Sequence, residues 1–324
     1  MKTALRTGVL FIALATGSSV QAIRADQTSR VAATLLSQFE TVFRAEAKLL
    51  ADSGSYRGLA EQDSNELRVP FGFLAAGLDG DGQTISQDLM HNAADVFVGA
   101  REFLSPNGLG RERSQYCFVV VFTSDPTQQL QNLFKGKAFS AKANYPVWHW
   151  TKSLGEFGEN DPTPSSFYAS AVQGQYMLLC NNLGDLQTVV NHLAPDYDSS
   201  GELAALRSLT LLEGREYWGY RRFRNPGIPA KGKSDDADTL PGVEALSLTI
   251  TFDTKAATLR VHAPDERAVV ALNSDLARTR GAGLSPLTGF GPDVWGTTFS
   301  LSGDRRSGES MFQIMGLFGF AVYL

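Results

Sequence analysis

The stretch Phe118-Val119-Val120-Val121-Phe122-Thr123-Ser124-Asp125-Pro126-Thr127-Gln128 decides the fold class of this chain. Its first five residues are an unbroken apolar run of strand length, rich in β-branched side chains. Asp125, Pro126 and Gln128 then supply a cap residue, a proline suited to a first helical turn and a third-position glutamine. Leu130, Leu133 and Phe134 follow at helical spacing. A strand therefore hands over directly to a helix.

The handover recurs twice. Tyr176 to Cys180 leads through Asn181-Asn182 into a helical pattern carrying Leu186, Val189, Val190 and Leu193. Leu259-Arg260-Val261 leads through Pro264 and Asp265 into a pattern carrying Val269, Leu272 and Leu276. Between these units lie extended segments at Tyr145 to Trp150, Phe167 to Val172, Glu216 to Phe223 and Leu246 to Phe252. In the last, Leu246, Leu248, Ile250 and Phe252 alternate as one buried face opposite a wetter one. Val69 to Leu78 and Asp95 to Phe103 also read as strands. The expectation is an α+β protein with a mainly antiparallel sheet, helices on one face, and two related modules.

Ahead of this, apolar residues at Val31, Leu35, Phe39, Val42, Phe43, Leu49 and Leu50 predict a single amphipathic helix from Gln27 to Ala51. Residues 1–22 read as an export signal. Lys2 and Arg6 are followed by a short apolar core from Gly8 to Ala15 and by small residues around Val20-Gln21-Ala22. That core is too short to span a bilayer, which needs roughly 20 residues. Residues 225–242 are rich in proline, glycine and charge and read as a linker or long loop. They would divide an N-terminal α+β region, 23–224, from a C-terminal one, 243–324. The apolar stretch Met311 to Leu324 reads as core.

The chain has 324 residues and a net charge of −5, which removal of Lys2 and Arg6 takes to −7. Such an excess repels phosphate, so nucleic acid is excluded as an expected partner. The two cysteines, Cys117 and Cys180, each sit in a strand-like run and are expected to form one disulfide in an oxidising compartment.

Motifs with chemistry are sparse. Gly227 to Ser234 fits the spacing of a phosphate-binding loop, but a charged segment precedes it and Asp235, Asp236 and Asp238 follow it, so the match is accidental. Gly77 to Gln83 resembles the opening of a calcium loop, yet Thr84 and Met90 stand where glycine and a bidentate glutamate are required. The four histidines lack metal-ligand spacing, and no metal or cofactor is expected. Tyr217, Trp218, Tyr220 and Phe223 interleave with Arg215, Arg221, Arg222 and Arg224, read here as a partly exposed strand with its own ion pairs.

The most suggestive segment is Tyr145-Pro146-Val147-Trp148-His149-Trp150, with Glu156, Glu159 and Asp161 close behind. In a strand the two indoles share a side, a platform for a sugar ring, and a carboxylate pair beside it is the equipment of glycoside hydrolysis. Tyr145, Trp148, Trp150, Glu156 and Glu159 are accordingly the candidate ligand-binding residues. The expected function is that of an exported binding or structural component of the cell envelope, with an envelope protein or glycan as partner. The alternative is an exported polysaccharide hydrolase.

Overall fold

A computed structural model describes residues 27–47, 92–104, 111–135, 137–142, 145–152, 165–194, 196–198, 217–223, 242–251, 256–278 and 286–300. Twelve strands form one antiparallel sheet: β1 Thr41–Glu46, β2 Ala93–Leu104, β3 Arg111–Phe122, β4 Ala138–Lys142, β5 Tyr145–Lys152, β6 Ser165–Val172, β7 Tyr176–Cys180, β8 Tyr217–Arg222, β9 Ala245–Thr251, β10 Ala256–His262, β11 Thr288–Gly291 and β12 Val294–Ser300. Their order across the sheet is β11-β12-β10-β9-β8-β1-β2-β3-β7-β6-β5-β4. Among the described residues four helices accompany them: α1 over residues 27–38, α2 Thr127–Leu133, α3 Leu183–Leu193 and α4 Glu266–Arg278. The mainly antiparallel α+β architecture is as the sequence leads one to expect, and all three strand-to-helix handovers form.

The helices occupy both faces of the sheet, however, and not one. On the first face, Val31, Leu35, Leu36 and Phe39 from the N-terminal segment and Leu186, Val189, Val190 and Leu193 of α3 pack on Phe97, Val119, Leu178 and Trp218. On the second, Leu130 and Phe134 pack on Val98, Phe118, Leu179 and Trp148, while Val269 and Leu272 of α4 pack on Leu246, Leu248, Leu259 and Val261. A strand buried on both sides needs apolar residues at successive positions, which is why Phe118 to Phe122 shows no alternation.

The single helix expected from Gln27 to Ala51 is also corrected. It stops at residue 38, and Thr41–Glu46 is the strand β1. Val42 and Phe43 fit a helical stripe, but β1 lies between β2 and β8, and pairing on both sides outweighs its local propensity. Likewise β8 is a central strand rather than a partly exposed one, because β1 and β9 flank it. In β9 both faces are buried, Ser247 and Thr249 included, so the expected wetter face is absent there. The export signal read at 1–22, the strand read at Val69 to Leu78, the loop read at 225–241 and the apolar stretch Met311 to Leu324 lie outside the described residues. On either side of 225–242, β8 and β9 pair directly, from Tyr217 opposite Ile250 to Arg222 opposite Ala245.

Reading outward from the seam between β1 and β8, the sheet repeats itself. β2 and β9 come next, then β3 and β10, then β7 and β12, then β6 and β11; β5 and β4 extend one side. After β3 and after β10 the chain enters a helix on the same face, α2 or α4, and in each case an aspartate just ahead of the helix accepts the amide two residues on. The Thr127 amide donates to Asp125 Oδ1 at 2.9 Å, and the Arg267 amide donates to Asp265 Oδ1 at 2.9 Å. The two halves are thus related by an approximate two-fold axis normal to the sheet at its centre. This is a repeat of topology with little repeat of residues.

Asp125 carries a pH signature. The Thr127 hydroxyl and then the Thr127 amide hold its carboxyl below the ordinary value. A depressed folded-state value means that this contribution is present above the unfolded-state value and is lost as pH falls through the folded one. A carbon-detected NMR titration is expected to show Asp125 titrating below ordinary aspartates, with Thr127→Ala moving it back up. Titration unchanged by Thr127→Ala would remove the assigned cause.

Close approach of backbone and ring fixes Gly99. A β-carbon there would stand 2.5 Å from Phe39 Cδ2 and 2.8 Å from Phe39 Cγ. Gly99→Ala is expected to destabilise by about 1–3 kcal/mol, the cost of overpacking, and Gly99→Ala with Phe39→Leu by less than the sum of the single changes. Urea denaturation measures both.

Candidate functional site

The candidate residues on β5 are separated by the pleat. Tyr145 stands on the first face, half-buried beside Val147, and Trp148 and Trp150 stand on the second. The two indoles do share a side, as the strand period requires, but α2 roofs them. Phe134 stacks on Trp148 with ring centroids 4.9 Å apart and lies 5.5 Å from Trp150, which also has Phe167 at 5.7 Å. Trp148 and Trp150 are only 6% and 7% exposed. Their flat faces are occupied by protein rings, and the segment is a wall of the core. Glu156, Glu159 and Asp161 lie outside the described residues.

Cys117 and Cys180 form a disulfide between β3 and β7, where they are direct cross-strand partners with Cα atoms 4.2 Å apart. Both are fully buried. The bridge lies in a row on the first face that continues through Tyr168, opposite Cys180, to His149, which stacks on Tyr168 at 4.7 Å. The other described histidines stand apart: His192 stacks on Tyr197 at 4.0 Å, and His262 Nδ1 lies 3.3 Å from Glu244 Oε2. Among the described residues no three potential ligands converge on a point.

A buried polar cluster sits on the first face at the middle of the sheet, where the sequence marks no site. Arg44 Nη2 lies 2.7 Å from Asp95 Oδ1 and 3.2 Å from Glu46 Oε1. Thr28, at the start of α1, donates its hydroxyl to Asp95 Oδ2 at 3.0 Å. The Arg44 and Asp95 side chains are 7% and 0% exposed. Two related contacts surround it. Arg222 donates to the Leu36 carbonyl at the far end of α1 at 2.8 Å. Arg101 of β2 pairs with Asp185 in the first turn of α3, and its guanidinium lies 5.0 Å from the Phe39 ring centroid. Asn182 caps α3 by accepting the Asp185 amide at 3.1 Å. In every case a charged side chain of the sheet holds a helix that covers it. The one signal in the sequence was the charge at Arg44 and Asp95 within otherwise apolar runs, which is unusual for buried strand positions.

Tyrosine ionisation follows burial. Desolvation pushes Tyr116 well above the ordinary phenol value and also raises Tyr220, where Arg222 opposes the shift and Glu244 adds to it. Both stay neutral at physiological pH.

Among the described residues no helix is long and apolar enough to cross a membrane. No protein-family model matches the chain, and none of the curated proteins does. Among solved structures, crystal forms IV, I and III of TP0453 are similar, with TM-scores of 0.43, 0.43 and 0.41 and 9% identity in each case. The matches cover 86%, 89% and 84% of this chain and 92%, 97% and 94% of those.

Proposed function

We propose that the chain is an exported protein that works by binding or as a structural component of the cell envelope, in the periplasm or outside the cell. What carries the reading is how its buried charges are arranged: the Arg44–Asp95 pair, which accepts the Thr28 hydroxyl, and Arg101 with Asp185 each tie a helix to the sheet. Catalytic acids and bases are instead gathered in a cleft where surroundings shift their protonation. The oxidised cysteine pair adds weight to an extracytoplasmic address, since disulfides persist in oxidising compartments. The partner would be an envelope protein or glycan.

Cell fractionation with thiol labelling, followed by a reducing-end assay on cell-wall fragments and soluble glycans, tests this reading. Expected are an extracytoplasmic protein with no labelled thiol and no turnover by wild type or by Glu156→Gln/Glu159→Gln. A cytoplasmic protein with free thiols would overturn the address. Turnover that the double variant loses would replace binding by hydrolysis.

A further inference from the structure

Resting on the binding reading, we propose that the outer edge of β4 is a docking edge for an extended, acidic polypeptide segment, which would add to the sheet as a further strand. Three observations carry this. First, among the described residues β4 is the last strand on its side of the sheet, and Ala138, Phe139 and Ser140 are exposed along it. Second, a row of cross-strand partners on the second face runs Phe118, Leu179, Ala169, Trp148, Phe139. Its first four members are buried, yet Phe139 is 61% exposed with its ring 5.9 Å from Trp148. The apolar row therefore reaches the edge and ends in an uncovered ring, and an apolar residue on an added strand would continue it. Third, the edge is basic in an acidic chain. Exposed Lys135 and half-buried Lys137 precede the strand, the latter with its ammonium 5.5 Å from the Trp150 ring centroid, and Lys142 closes it. The opposite edge strand, β11, is Thr288-Gly289-Phe290-Gly291 and has no lysine.

An exposed edge offers main-chain hydrogen bonds for affinity, and side chains on alternate positions give specificity. Lysines on an edge deter pairing with a like-charged edge, so a second copy paired β4 to β4 would set lysines against lysines. A carboxylate-bearing strand with apolar residues at alternate positions would meet opposite charge on its flanks and Phe139 on its face.

The test titrates the oxidised full chain into two fluorescein-labelled, end-blocked decapeptides, one alternating valine with glutamate and the other valine with lysine. The glutamate peptide is expected to bind saturably and the lysine peptide about tenfold more weakly or not at all. Raising salt from about 50 to about 500 mM should weaken the former, as screening shortens the reach of the lysines. Lys135→Glu with Phe139→Ala, both at exposed positions, should lower affinity about tenfold with an unchanged circular dichroism spectrum. Hydrogen exchange in the complex should protect amides within 138–142. Equal affinity for the two peptides, no saturable binding up to about 1 mM, or protection confined to another strand would overturn the proposal. Each of these results leaves the fractionation and turnover outcomes untouched, so the docking edge can fail while the binding reading stands.

Discussion

Replacing Cys117 and Cys180 together by alanine is expected to lower stability by about 4 kcal/mol in the chain-entropy account, because the bridge joins residues 63 apart in sequence. That corresponds to a fall of roughly 6 °C in Tm for a chain of this length. Both sulfurs are fully buried between β3 and β7, so the native protein should also resist a reductant that attacks only exposed bridges, until urea opens the sheet. Thermal unfolding of wild type and the double variant, with thiol labelling across a urea series, measures both effects. A Tm within a degree of wild type would show that the unfolded chain is already held together at this point by other means. Labelling in the absence of urea would show that β3 and β7 separate without global unfolding.

The second large effect is expected at the Arg44 and Asp95 pair. Removing one partner of a buried ion pair leaves the other desolvated without its countercharge, at a cost of about 3–5 kcal/mol. Arg44→Met should fall in that range and Asp95→Leu below it, because Glu46 still faces Arg44 at 3.2 Å, and the double variant should recover part of the loss, since an apolar pair of similar volume packs without the desolvation penalty. Asp95→Leu also removes the acceptor of the Thr28 hydroxyl, so it should loosen the start of α1 in a way that Arg44→Met does not. Urea denaturation in a double-mutant cycle gives the coupling energy. Hydrogen exchange within residues 27–38 gives the local effect. Additive losses in the cycle would mean that the two side chains act separately, and the pair would then be no clamp.

What the sequence made legible was local. Phe118 to Phe122, Tyr176 to Cys180 and the helices after them are set by local apolar runs and polar starts, and they form, although α2 begins at Thr127 with Pro126 rather than Asp125 at its cap position. The burial of Leu186, Val189, Val190 and Leu193 follows from a stripe visible in α3 alone. What was illegible depends on partners remote in sequence. Thr41 to Glu46 carries a pattern that suits either a helix or a strand, and only β2 and β8 on either side decide it. The helices go to both faces because β3 and β7 are apolar at successive positions, a feature that signals burial but not which face receives which helix. At the candidate site, the shared side of Trp148 and Trp150 was legible from the strand period, whereas their roof, Phe134, belongs to another element. The Arg44 and Asp95 clamp joins residues 51 apart, and nothing local announces that those two charges meet.

The central seam has a consequence for how the chain is made. Synthesis delivers β1 about 170 residues before β8, its partner across the seam, which at roughly 5–20 residues per second is an interval on the order of ten to thirty seconds. Throughout it β2 can cover one side of β1, while the other side is a temporary edge in the middle of what will become a continuous sheet. A nascent chain with such an edge can pair wrongly with a neighbour doing the same, and the near-symmetry of the two halves makes the wrong partner resemble the right one. The last long-range step, β8 onto β1, closes a large loop before it gains any contact, which makes it the slow and vulnerable step of assembly. Holding the first half apart from its copies until residue 222 has arrived is therefore a task for whatever meets the chain as it is made.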